Sequence, residues 1–436
     1  MTMEQTRADC PASRPAIDLA SDVSRLDPAI HNDPFPFYRA LRRDAPIHFD
    51  AKLNMYLVSR YQDVQAVLRD AETYSLELGY HGQFARGFRA EYADILEREG
   101  GGFFRDVIAC DPPAHTRLRR LLEKAFSAHR VKALEPRIRQ IVVDILEPLA
   151  ERGSGDGIHD IGAPLTARLI CEQLGFDYDE VGVETLKRWG RAHLAQLGGM
   201  QSNDEMPENA RAVCEMQNYI IPRIREREIA PRDDMMSDLV HARLDDETKP
   251  ELDFEEKVSC IRALLIAGND TTAAALANLL LVLATQPALA MQLREAADDE
   301  RVVSRFVEEV LRIEPPVHGL FRVTTRATEL GGVHLPVGSG IHIIYASAND
   351  DEAEFPCPRM VDMNRPNIGA SLTFGGGIHR CIGAALARMQ IRVAAQEVLR
   401  RLDDIALAIP LAAIRYHPTL SSQTIERLPL TFRRRN

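Results

Sequence analysis

Phe374-Gly375-Gly376-Gly377-Ile378-His379-Arg380-Cys381-Ile382-Gly383 is the stretch from which the rest of the chain is read. Three consecutive glycines allow backbone dihedrals that other residues resist. After Gly383, the apolar residues Leu386, Met389, Val393, Val398 and Leu399 recur at helical spacing, which predicts a helix over Ala384–Leu402. Cys381 therefore falls where a loop turns into a helix N-terminus. Free backbone N–H groups and the positive end of the helix dipole favour a thiolate there. A thiolate in a Gly-rich loop, with Phe374 nearby to shield it, suits a soft axial ligand to iron. Taken alone, Cys381 also fits a small buried apolar residue, as most free cysteines are. A nucleotide-binding fingerprint fails, because Arg380 stands at the third glycine position of the G-x-G begun by Gly375. Zinc fails too, since His379 and Cys381 have no second ligand pair at suitable spacing.

Two further constellations carry chemistry. Ala267-Gly268-Asn269-Asp270-Thr271-Thr272 lies in the middle of a long apolar helical pattern. The small Ala267 and Gly268 leave room on one face, and the Thr271 hydroxyl can bond the Ala267 carbonyl one turn back and open the helix locally. An acid inside an apolar helix is costly unless it is paired or moves protons; a solvent-facing Asp270 beside a core Thr271 is the plainer alternative. Glu309 and Arg312 share a helix face at i, i+3 and can pair, although most such pairs are solvated surface features.

The cysteine stretch resembles the haem-binding loop of the cytochrome P450 family, F-x-x-G-x-x-x-C-x-G, with Phe374, Gly377, Cys381 and Gly383 matching it position for position. The segment at 267–272 resembles that family's oxygen-activation motif, A-G-x-[DE]-T-T, with Asn269 an unusual choice that would bear on substrate contacts. The resemblance implies that Thr271 holds a water that protonates dioxygen and that Asp270 feeds it protons. Glu309 and Arg312 resemble the family's E-x-x-R, and Arg365 its third member, a triad that braces the cysteine loop from behind. His115 and Arg119 match H-x-x-x-R, and Arg322 and His379 fall where the family places its other partners for the haem carboxylates. Contact with the cofactor is further implied for Ala267, Phe374, Gly375 and Gly383. The resemblance extends from about Asp33 to Phe432.

Bulk properties agree with a large globule. The chain has 436 residues, 45% of them hydrophobic, and a net charge of -11 that argues against general nucleic-acid binding. Seven scattered cysteines without a C-x-x-C fit a reduced cytoplasm better than a disulfide framework. Residues 1–24 lack a signal-peptide core and are expected to form a loose arm, with residues 25–436 as a single domain. The uncharged run from Thr271 to Met291 has the length of a membrane span, but Asn278, Thr285, Gln286 and Pro287 interrupt it, so a buried central helix is expected.

The pattern predicts a short helix ending near Arg43, a hairpin of Ile47–Phe49 and Met55–Ser59, and a helix from Gln62 to Arg69. Ser75 to Ala109 reads as a long connection, and Asp111-Pro112-Pro113 as a helix start. Helices are expected from Ala114 to Arg227, interrupted at Gly198-Gly199 and over Gln201–Asn209. One very long helix is predicted from Phe254 to Gln286, a further one ending at Arg312, a small sheet over Thr324–Ser347, and strands over Ile405–Phe432. The fold class is thus mainly α with a minor β region, which is the family architecture.

The function implied is haem-thiolate monooxygenation, an oxidoreductase reaction with haem b that places one atom of dioxygen in a lipophilic terpenoid, steroid or aromatic-type molecule. A non-catalytic haem-thiolate sensor would not need Asp270 and Thr271, and a peroxide-driven peroxygenase commonly replaces them. The pocket implied includes Phe84, Leu264, Ala267, Val317, Leu320, Thr424 and Ile425. No flavin or ferredoxin-type cysteine cluster is visible, so electrons are expected from a separate ferredoxin and its reductase. A docking face is expected from Arg117, Arg120, Lys124, Arg388 and Arg392. A cytoplasmic monomer without a membrane span is expected.

Overall fold

The computed structural model describes residues 17–19, 23–81, 89–198, 204–245, 248–417 and 419–435. The helices that position the site are α1 (Phe35–Asp44), α2 (Tyr61–Arg69), α3 (Leu76–His81), α4 (Arg89–Glu99), α5 (Ala114–Glu123), α6 (Glu135–Arg152) and α7 (Ala163–Leu174). They continue with α8 (Val183–Gly198), α9 (Met206–Ile229), α10 (Phe254–Ala267), α11 (Asp270–Thr285), α12 (Glu300–Ile313), α13 (Tyr345–Asn349) and α14 (Ala384–Arg401); shorter helical turns join them. The strands are β1 (Ile47–Asp50), β2 (Met55–Val58), β3 (Tyr74–Ser75), β4 (Ser154–Asp156), β5 (Gly319–Thr324), β6 (Thr328–Leu330), β7 (Val333–Leu335), β8 (Gly340–Ile344), β9 (Leu402–Leu407) and β10 (Pro429–Arg434).

The larger sheet has the order β1-β2-β8-β5-β3. Only the β2–β8 pair is parallel; β8 lies in the middle and all five of its residues are buried. A second sheet pairs β4-β10-β9 and a third β6-β7. Local signals set the helix ends. Asp253 and Glu256 form a capping box at α10, Asp299 caps α12, and α6 stops at Gly153 in the left-handed region at φ 76°. On α12, Val303, Phe306, Val307 and Val310 recur at three- and four-residue spacing and form its buried face.

Two hydrophobic clusters hold most of the core. One gathers α6, α11, α12 and α14; the other gathers α4, α7, α8, α9 and α10. The run Phe254–Thr285 is apolar and long enough to cross a membrane, but 72% of its most apolar window is buried inside the protein. It is a core helix.

Several expectations need correction. The connection from Ser75 to Ala109 contains α3 and α4; Tyr92, Ile95 and Leu96 fold the latter by packing into the same cluster as Val213 and Met216 of α9. The polar run Gln201–Asn209 is helical from Met206 onward, because Met206 and Ala210 are buried. The β region stops at Ile344, where the small residues Ala346, Ser347 and Ala348 turn the chain into α13. The long helix is two helices, broken at Gly268-Asn269. Ile405–Phe432 contains strand only at its two ends. Ser24 does not hang loose: it is buried and its hydroxyl donates to Asp50 at 2.8–2.9 Å. Cys357 is disulfide-bonded, while Cys110, Cys171, Cys214, Cys260 and Cys381 are free; nothing in the spacing announces that bond.

Candidate active site

The cysteine loop runs into α14 and is anchored through its backbone. Gly375 and Gly377 sit at φ +67° and +62°, where side chains are strained. A Cβ on Gly377 would stand 2.0 Å from the Leu68 carbonyl oxygen of α2, so the loop lies directly against that helix end. The Leu372 amide donates to Asn349 Oδ1 at 2.7 Å, the Thr373 hydroxyl to the Leu311 carbonyl at 2.7 Å, and the Cys381 amide to the Phe374 carbonyl at 2.9 Å. The Arg388 guanidinium lies 4.3 Å over the Phe374 ring and pairs with Glu308 at 2.5 Å.

Glu309, Arg312 and Arg365 come together and all are buried. Glu309 accepts from Arg312 Nε at 2.8 Å, from Arg365 Nε at 3.0 Å and from the Asp362 amide at 2.8 Å. The two guanidiniums spend their remaining donors on carbonyls of the segment ahead of the loop, Pro356, Pro358 and Met360 among them. The carboxylate thus ties α12 to residues 356–365.

Cys381 reaches solvent. Its thiol is nonetheless held above the ordinary value, because burial outweighs the Gly383 amide and the charges of Arg119, Arg388 and Arg380. The expectation that the helix N-terminus alone would favour the thiolate is therefore corrected: desolvation is the larger effect, and a bound cation is what would offset it.

Beside the loop, two histidines and two arginines converge, and the histidines have ring nitrogens without protein partners. The rings of His115 and His379 lie 4.3 Å apart, and His115 Nδ1 and His379 Nε2 are buried without hydrogen bonds. Burial, with the charge of Arg322 next, lowers His379 to about 3; burial and Arg119 lower His115. Arg119 donates to the Arg380 carbonyl at 2.6 Å and to Glu123 at 2.8 Å. Arg322 is buried, bonds the Phe321 carbonyl at 2.7 Å, and pairs with no carboxylate among the described residues. A buried guanidinium without an anion is costly. These residues fit a cofactor that brings a soft metal to Cys381 and carboxylates to His115, Arg119, Arg322 and His379.

The break between α10 and α11 carries the second constellation. The Thr271 hydroxyl donates to the Ala267 carbonyl at 2.9 Å. Ala267 is exposed in the middle of an otherwise buried helix pair. Asn269 is buried, and its Oδ1 accepts from the Thr166 hydroxyl of α7 at 2.8 Å. Its amide donates to Asp270 Oδ1 at 3.1 Å. Burial raises Asp270 to about 6, against the opposing charges of Arg191 and Lys187 on α8. Gly190 of α8 lies close enough that a Cβ there would be 2.8 Å from the Asp270 carboxylate. Neither Thr166 nor Gly190 carried a sequence signal, since each contact is made across helices.

Leu264, Val317, Leu320 and Thr424 are partly exposed, but Ile425 is fully buried in the core and leaves the expected pocket. Phe84 lies outside the described residues. The expected basic face also changes. Arg117 is spent on Glu256 and on the carbonyls of Lys249 and Glu251, Arg388 on Glu308, and the buried Arg392 on Glu135 at 2.8 Å. Helix spacing placed these arginines on two helices but could not reveal the carboxylates packed against them. Lys124 is exposed and donates to the Arg243 carbonyl, and Arg120 is partly exposed.

A family model described as Cytochrome P450 matches residues 205–404. The chain is 31% identical over 421 residues to Cytochrome P450 109 of Bacillus spizizenii, covering 95% of this chain and 94% of that one. It is 30% identical over 438 residues to the cytochrome P450 monooxygenase PikC of Streptomyces venezuelae, covering 99% and 98%. The structure of CYP109Q5 from Chondromyces apiculatus superposes with a TM-score of 0.81 at 32% identity, over 95% of this chain and 99% of that one. Cytochrome P450 CREJ in complex with (4-ethylphenyl) dihydrogen phosphate does so with a TM-score of 0.84 at 30% identity, covering 95% and 100%.

Proposed function

Since the chain belongs to the cytochrome P450 family and is a haem-thiolate monooxygenase of the oxidoreductase class, we propose that it holds haem b through Cys381 and hydroxylates a neutral lipophilic molecule with electrons from a separate ferredoxin. The observation that carries the cofactor assignment is the pair of buried ring nitrogens beside Cys381 without hydrogen bonds, His115 Nδ1 and His379 Nε2, together with the buried Arg322, which pairs with no carboxylate among the described residues. When bound, the haem supplies dioxygen activation and the transfer of one oxygen atom to substrate.

The chain's own residues supply the rest. The Thr271 hydroxyl donates its hydrogen bond to the Ala267 carbonyl, which leaves its oxygen lone pairs to accept from a water. Asp270, raised to about 6, is divided between acid and base near neutral pH and can both give a proton to that water and regain one. The lipophilic substrate is supported by apolar side chains that stay exposed, namely Leu78 of α3, and Ile108 and Leu194 on two elements that pack against α10. Docking of an acidic ferredoxin to a protein read as a monomer is supported by the solvent-accessible Arg120 and Lys124, on one helix and its cap.

The reduced, carbon monoxide-bound absorption spectrum of the purified holoenzyme tests this reading. The parent is expected to give the thiolate-type band and Cys381→His to lose it while keeping some haem. A variant that kept the band would assign the ligand to another cysteine and overturn the proposal.

A further inference from the structure

Tyr345 opens α13 at the end of β8, next to the pair of strands that carries Arg322. It is buried. Its hydroxyl is within hydrogen-bonding reach of the Arg322 guanidinium, whose charge lowers the phenol's pKa against the upward effect of burial. Guanidinium groups only donate, so the Tyr345 oxygen is the acceptor and its own O–H proton remains to be placed. Among the described residues no acceptor takes that proton, which leaves it for a partner outside the protein. The hydroxyl also lies beneath the cysteine loop: a Cβ on Gly375 would be 3.6 Å from it. One phenol thus links the unpaired guanidinium to the loop that carries Cys381.

Resting on the haem-thiolate reading above, we propose that Tyr345 is a positioning residue for the cofactor, aiming Arg322 at one haem carboxylate and giving its own O–H to the same group. Sequence patterns give no hint of it, because Tyr345 belongs to none of the matched motifs and becomes a neighbour of Gly375 only through the fold.

The test compares parent, Tyr345→Phe and Arg322→Gln as holoenzymes. Tyr345→Phe removes one oxygen atom and keeps the ring, so the thiolate-type carbon monoxide band is expected to persist. Haem transfer to excess apomyoglobin should speed up by about tenfold, the effect of one lost hydrogen bond to a charged group. The iron's reduction potential should move to more negative values, because a carboxylate that loses a donor stabilises the oxidised iron. Arg322→Gln should move both readouts in the same direction. Transfer rate and potential equal to the parent's in Tyr345→Phe would overturn the role of Tyr345 and leave the haem-thiolate reading standing. Faster transfer with an unmoved potential and a lowered unfolding midpoint would also overturn it, as general loosening. A parent without the thiolate band would overturn both readings at once.

Discussion

Asp270→Asn isolates the cost of keeping an acid inside the central helix. Burial raises the Asp270 pKa from 3.8 to about 6. At about 1.36 kcal/mol per pH unit, the ionised carboxylate destabilises the fold by roughly 3 kcal/mol once both states are deprotonated. The direction follows from proton counting. Between pH 4 and 6 the native state binds more protons than the unfolded chain, so stability falls as pH rises through this window and levels off above about pH 7. Asparagine carries no charge and keeps an oxygen for the Asn269 amide, so the variant escapes that fall. Its advantage over the parent should therefore widen by about 1.5 kcal/mol between pH 5 and pH 8, on top of any constant offset. Urea unfolding of both proteins in the same cofactor state, followed by circular dichroism at several pH values, measures the difference. An offset that stays constant from pH 5 to pH 8 would show that Asp270 is not strained by burial, and the proton-relay argument would lose its basis.

Thr271→Ala should leave haem and substrate binding nearly intact while diverting electrons to hydrogen peroxide; product formation coupled as well as in the parent would remove Thr271 from the relay. Gly377→Ala places a Cβ 2.0 Å from the Leu68 carbonyl oxygen at φ +62°, so haem-loaded protein should be largely lost, whereas a normally loaded variant would mean that the loop can step back from α2. Glu309→Gln leaves Arg312 and Arg365 buried without their carboxylate and should cost about 3–5 kcal/mol in unfolding experiments; a loss below 1 kcal/mol would make the triad an ordinary ion pair. Arg120→Glu combined with Lys124→Glu should slow reduction by an acidic ferredoxin and flatten its salt dependence without changing ligand-binding spectra, and unaltered kinetics would move docking elsewhere.

The residues that were legible in the sequence are those whose chemistry is local. The Gly-rich approach to Cys381, the Ala267-to-Thr272 run and the Glu309–Arg312 spacing are each set within one turn of backbone, and the structure puts Thr271 on the Ala267 carbonyl as that spacing requires. What was not legible depends on partners far away along the chain. Arg117 and Arg392 look like surface charges until Glu256 and Glu135 are packed against them. Asn269 looks like a substrate contact until Thr166 of α7 takes its oxygen. The α4 helix is hidden by the glycines around it, and its apolar residues are recognisable as a face only once α9 covers them.

The break at Gly268-Asn269 also marks a mechanical boundary. Val258, Ile261, Leu265 and Ile266 on its near side belong to one hydrophobic cluster, whereas Ala275, Leu276, Leu279 and Leu280 on its far side belong to the other. Five of the residues between them, Ala267 to Thr271, carry the exposed alanine, the threonine bonded back to it and the buried acid. Close-packed clusters move as blocks rather than deforming smoothly. A shift of the block under α8 and α9 relative to the block under α12 and α14 would be felt at this joint, as it would in α7, which contributes to both clusters. On the proposed reading, loading a bulky guest and setting the proton path would draw on the same residues, and a guest that left the blocks ajar would leave the path misaligned.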